Sequence, residues 1–104
     1  MNVLLTIEAI YDVADIVDYI EEEFGEERAL QFELDIHQRF DRLGDYVHAE
    51  TGIRYNGLPI RKDVFAPSLI FFVVVDDTIH VLRVLREERD WRGVLRRKQR
   101  YDYP

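Results

Sequence analysis

A chain of 104 residues, 47% hydrophobic and 34% charged with a formal net charge of −7, has room for one domain and one modest core, and is too apolar to be a disordered segment. It has no cysteine, which excludes a disulfide scaffold, a zinc–thiolate site and thiol catalysis. The longest apolar run, Leu69 to Val75, is far shorter than the roughly 18 residues a membrane span needs, and the N-terminus has no leader-like basic and apolar regions, so a cytoplasmic protein is expected.

Val3 to Ile7 is a short apolar run that predicts a strand. Thr6 is placed to cap a following helix, with Glu8 in the first turn, where the helix dipole favours an acid. Ile10, Val13, Ala14, Val17, Ile20 and Phe24 then recur at three- and four-residue spacing, which predicts the buried face of an amphipathic helix. Asp12, Asp15, Glu22 and Glu23 fall on the opposite face, in water. Gly25 stops the helix. A second helix starts at Glu26 or Glu27 with a stripe of Ala29, Phe32, Ile36, Phe40, Leu43 and Val47, and so short a connection makes the pair an antiparallel hairpin. Leu30, Leu34 and His37 form an offset face, either packed against a sheet or open to a partner protein.

Gly44 weakens the end of this helix, and His48 to Gly57 reads as loop or a short edge strand. Leu58 to Phe65 predicts a poorer strand, with Arg61 and Lys62 inside it and pointing to opposite sides. Ala66-Pro67-Ser68 breaks it. Leu69 to Val75, aromatic and β-branched, predicts a central strand; Asp76-Asp77-Thr78 turns the chain, and Ile79 to Leu85 pairs back as a hairpin. In that last strand strict alternation puts Arg83 on the side of Val81, with His80, Leu82 and Val84 on the other. Arg89-Asp90-Trp91 opens a final basic helix that ends near Lys98, and Gln99 to Pro104 is a tail. Residues 1–104 thus read as a single α+β domain: an N-terminal strand and a helical hairpin packed on an antiparallel sheet of three later strands, with a short C-terminal helix.

Charge is divided along the chain. Residues 1–50 hold 14 acids and 3 bases, residues 51–104 hold 7 acids and 11 bases, and 8 of the 14 bases lie between Arg83 and Arg100. The basic end is either a solvated helix or a surface for an acidic partner or a phosphate backbone.

Most catalytic templates fail. The glycines at 25, 44, 52, 57 and 93 form no phosphate loop, and no His-Glu-x-x-His is present. His37, His48 and His80 lie on separate elements and read as satisfied or surface histidines; the single serine, Ser68, stands in a turn; the acids of the first helix read as a solvated face rather than a metal site. What remains is a set of cations, Arg61, Lys62, Arg83, Arg86, Arg89 and Arg92, which either hold phosphates or form salt bridges with Asp63, Glu87, Glu88 and Asp90. Trp91 reads as buried against the helices or as an interface anchor.

Taken in order, Thr6-Ile7-Glu8-Ala9, Asp12-Val13, Ile16 and Tyr19-Ile20, then Ala29, Phe32, Ile36 and Leu43, then the strand Ile79 to Leu85 followed by Arg89-Asp90-Trp91, resemble the ParE/RelE superfamily of toxins from bacterial type II toxin–antitoxin modules over nearly the whole chain. The long paired helices and the Arg-Asp-Trp ending look more like the ParE branch, which the resemblance implies binds and poisons DNA gyrase without a nuclease site. The RelE branch instead cuts mRNA on the ribosome with basic residues and a tyrosine or histidine. Its cations here would be Arg61, Lys62, Arg83 and Arg89, but Gly93 stands where some members carry tyrosine and Arg86 where histidine is common. Tyr101 and Tyr103 would substitute only if the tail folds back. A third alternative is an inactive member that only binds an antitoxin. The resemblance implies a cognate antitoxin lying across the toxin, with Leu30, Leu34, Arg83, Arg86 and Trp91 as contact candidates. It implies no cofactor, metal, membrane or small-molecule substrate.

Overall fold

The structure, a computed structural model, describes residues 1–98 and 100–104; Gln99, the first residue of the expected tail, lies outside them. The elements in chain order are β1 (Asn2–Leu5), α1 (Ile7–Phe24), α2 (Glu26–Arg42), a 3₁₀ turn (Leu43–Asp45), β2 (Ala49–Tyr55), β3 (Leu58–Phe65), β4 (Ser68–Val75), β5 (Thr78–Arg86) and α3 (Trp91–Arg97). The fold is α+β, as the patterning predicts. It differs in one strand more than expected: the segment after α2 forms the full strand β2, with a register shift between Glu50 and Arg54 where Gly52 takes φ +83°.

The five strands run in the order β1-β5-β4-β3-β2. β4, the most apolar strand, is central. The four later strands are antiparallel, whereas β1 runs parallel to β5, with Leu5 opposite Val81. A parallel partner needs a crossover, and here α1 and α2 together with the β2–β4 meander supply it.

Strand β1 stops at Leu5 because Thr6 leaves the sheet to start α1. Its hydroxyl oxygen accepts the Ala9 N–H at 3.0 Å, and its O–H donates to the Leu82 carbonyl at 2.7 Å. Gly25, at φ +97°, ends α1 and begins α2, a backbone conformation that side chains resist. The α1–α2 hairpin covers one face of the sheet. Its core includes Val13, Ile16, Ile20, Phe32, Ile36 and Phe40 against Ile70, Phe72 and Val81. A second core on the other face joins Ile60, Phe71, Leu82 and Leu85 to Leu95 of α3 and Tyr101.

Several expectations are corrected by this packing. The buried face of α1 is rotated from the predicted one: Ala9, Asp12, Val13, Ile16 and Ile20 are buried, while Ile10 and Phe24 are exposed. Asp12 is therefore not in water. Val47 is fully exposed, because the turn at Leu43–Asp45 ends the helix before its stripe reaches that far. Leu30 and Leu34 do not pack on the sheet; each is more than half exposed. Trp91 lies not against the helical hairpin but on the opposite face, its ring 5.1 Å from that of Phe71. The alternation of β5 is broken by a bulge: Phe72 pairs with Val81 and Phe71 with Arg83, so Leu82 is an extra residue, and Val81 and Val84 share one core while Leu82 and Leu85 share the other. The described part of the tail folds back, with Tyr101 buried and the Asp102 carbonyl accepting the Ile7 N–H at 2.7 Å.

Candidate functional site

Of the expected cations, Arg86 and Arg89 line a small hollow beside Asp15 and Tyr19 of α1, while Arg61, Lys62 and Arg92 lie apart from it. Arg61 is opposite Phe72 and Lys62 opposite Phe71, so they occupy opposite faces of the sheet, as strand alternation requires. The Lys62 ammonium lies 5.2 Å from the centre of the Trp91 ring. Arg86 stacks its guanidinium 3.5 Å over the Tyr19 ring of α1 and pairs with Glu88. Arg89 is exposed in the turn before α3 and makes no ion pair among the described residues.

Arg83 is paired within the fold. Its Nε donates to Asp12 Oδ2 at 2.7 Å and its NH2 to Asp12 Oδ1 at 2.9 Å, the two-pronged geometry that suits guanidinium and carboxylate. Asp12 Oδ2 also accepts the Val84 N–H at 2.9 Å. The hydrogen bond to Asp12, opposed by burial, holds the Arg83 guanidinium above its already high pKa. Of the expected salt bridges Arg86–Glu88 forms, whereas Asp63 accepts two bonds from Arg39 and one contact from His48 instead, and Asp90 caps α3 by accepting the Gly93 N–H.

The tyrosines of the tail are also placed. Burial pushes the Tyr101 phenol up to about 12, beside Arg83, which acts in the opposite direction. The Tyr103 hydroxyl lies 2.8 Å from His80 Nδ1, and burial raises its pKa as well. Glu8 of α1 ties down this end of the chain, accepting the Asp102 N–H of the tail at 3.1 Å and pairing with Lys98 at the end of α3 at 3.0 Å. Among the described residues no group of histidines and carboxylates is arranged to hold a metal ion, and no helix is long and apolar enough to cross a membrane.

What the fold does assemble is an apolar surface. An open groove of about 620 Å³ runs beside β1, lined by Leu4, Leu5, Ile10, His37, His80 and Tyr103. A smaller hollow between the helices shares Leu5, Ile10 and His37 with it and adds Ala14 and Glu33. Leu30 and Leu34 lie on α2 at the spacing that puts them on the same face as His37. Sequence reading identified Leu30, Leu34 and His37 as a face, but missed Leu4 and Ile10, because β1 joins the sheet only through its distant pairing with β5.

The model of the ParE toxin of the type II toxin–antitoxin system parDE matches residues 3–91. No curated protein matches the sequence. Among solved structures, a chain of the chromosomal ParDE toxin–antitoxin system from P. aeruginosa superposes with a TM-score of 0.72, covering 85% of this chain and 97% of that one at 23% identity. At that identity the likeness is one of fold.

Proposed function

The chain belongs to the ParE toxin family of type II toxin–antitoxin systems, and on that footing we propose that it is the toxin of such a module, acting by binding and poisoning DNA gyrase and neutralised by a cognate antitoxin. The observation that carries a binding mode over the ribonuclease alternative is the commitment of Arg83 to Asp12. A nuclease of the RelE kind needs cations turned toward one phosphate and a base that titrates near neutrality. Here Arg61 and Lys62 are on opposite faces and Arg86 is stacked on Tyr19. Burial moves the Tyr101 phenol further from neutrality, up to about 12.

The antitoxin is assigned to the apolar face of Leu30 and Leu34 and the groove beside β1. Acids dominate the helices that border it, so the fitting partner is an amphipathic segment with basic flanks. Arg83 and Arg86, the other contact candidates, hold partners within the fold, and Trp91 lies on the far side of the sheet.

The deciding experiment is a supercoiling assay with purified gyrase and this protein in excess. Loss of supercoiling with accumulation of cleaved DNA, reversed by the antitoxin, is the expected result. Unaffected gyrase together with ribosome-dependent mRNA cleavage would overturn the reading.

A further inference from the structure

The charge division along the sequence becomes a division between two faces. α1 and α2, spanning residues 7–42, carry 12 acids and 3 bases and cover one face of the sheet. Residues 89–100 carry 6 bases and a single acid, Asp90, and α3 lies on the other face. Asp90 offsets one of these bases, and its carboxylate also caps α3 by accepting the Gly93 N–H.

The exposed part of this second face is cationic. On α3, Arg92, Arg96 and Arg97 are exposed, and Arg92 and Arg96 are one helical turn apart, whereas Arg89 lies beside Asp15 and Tyr19 of α1. The Arg92 guanidinium lies 4.2 Å from the centre of the Trp91 ring, and Lys62 of β3 meets the same ring, so the patch extends from α3 onto the sheet. The apolar residues of α3 are turned into the fold: Leu95 is buried, and Trp91 and Val94 pack on the second core. A protein partner is ordinarily gripped by a large exposed aromatic or aliphatic anchor, and the exposed apolar side chain beside these cations is the small Val64, two residues from Lys62 on the same side of β3. Phosphates need no such anchor and are well matched by arginine forks. Trp91 is stacked on Phe71 and flanked by cations, which leaves the backbone rather than the bases as the point of contact.

We propose that the α3 face, through Arg92, Arg97 and Lys62, is a docking surface for the phosphate backbone of duplex DNA, separate from the apolar face assigned to the antitoxin. The acidic hairpin on the far side repels the same polyanion and orients the molecule with α3 toward it. This inference is independent of the gyrase reading, because DNA alone tests it.

The test is fluorescence anisotropy of a labelled 20-base-pair duplex titrated with the full chain at rising salt. With about three phosphates neutralised, log K should fall against log salt with a slope of about −2 to −3. Arg92→Glu with Arg97→Glu should weaken binding about tenfold or more at low salt, while Arg28→Glu on the hairpin leaves it unchanged. Circular dichroism verifies that each variant is folded. Absence of binding at 50 mM salt, or equal binding by the double variant, would overturn the proposal. So would competition by poly-glutamate as effective, charge for charge, as that by unlabelled duplex, which would assign the face to an acidic protein.

Discussion

Arg83 of β5 and Asp12 of α1, 71 residues apart in sequence, close a two-pronged salt bridge between the sheet and the first helix. Asp12 is buried and also receives the Val84 N–H. Removing one partner leaves a charge with little access to water, which costs about 3 kcal/mol, the low end for buried pairs because the Arg83 fork keeps some solvent contact. Asp12→Ala should therefore lower the melting temperature by more than about 10 °C. Replacing both residues, Asp12→Leu with Arg83→Met, should recover only part of the loss, because the buried Val84 N–H then has no acceptor. A melt of Asp12→Ala within about 2 °C of the parent would show that the pair is not structural.

Thr6 joins the same corner by two hydrogen bonds, one to the α1 backbone and one to the Leu82 carbonyl at the β5 bulge. Thr6→Val keeps the shape and removes both. The uncapped Ala9 N–H and the buried Leu82 carbonyl together should cost about 1–3 kcal/mol in urea unfolding. Thr6→Ser, which keeps the hydroxyl, should stay close to the parent. Equal losses in the two variants would assign the effect to packing of the Thr6 methyl group instead.

Local patterns were legible in the sequence. The cap at Thr6, the stop at Gly25, the α2 stripe through Phe40 and the β4–β5 hairpin each depend on residues within a turn or two of one another. The features that were not legible depend on distant partners. Asp12 looks like a solvated helix acid until β5 brings Arg83 to it, and strict alternation in β5 fails at Leu82 because a bulge leaves no periodic signal. The parallel pairing of β1 is likewise invisible locally, and the groove that β1 borders was hidden with it. Trp91 was assigned to the wrong layer because an apolar residue in a short helix does not reveal which face of a sheet it covers.

Tyr101 gives a prediction with a worked sign. Its hydroxyl is buried with no hydrogen-bond partner among the described residues, and its pKa is raised by burial to about 12. The unfolded chain ionises near 10, so the folded state resists a deprotonation that the unfolded state accepts. Stability from this group is complete below about pH 10 and is lost as the pH rises to about 12. Tyr101→Phe removes an unsatisfied hydroxyl and should leave the melting temperature at pH 7 unchanged or higher. It should also flatten the stability loss in that alkaline window. A clear destabilisation at pH 7 would mean that the hydroxyl has a partner, such as a bound water.

Leu30 and Leu34 separate folding from binding. They are 56% and 54% exposed, so substitution removes little buried area from the fold, and glutamate is nearly as good a helix former as leucine. Leu30→Glu with Leu34→Glu should thus melt within a few degrees of the parent. On the antitoxin-binding surface the same leucines would be buried by the partner, where each is worth about 1–3 kcal/mol. The added carboxylates would also stay exposed to water only if the partner were displaced. Calorimetric titration with the cognate antitoxin should therefore show affinity weakened by about tenfold or more for the double variant. An unchanged affinity would move the antitoxin off the α2 face. In that case a charged substitution in the groove beside β1, such as Leu4→Glu, where Leu4 is 48% exposed on an edge strand, would locate the contact by the same measurement.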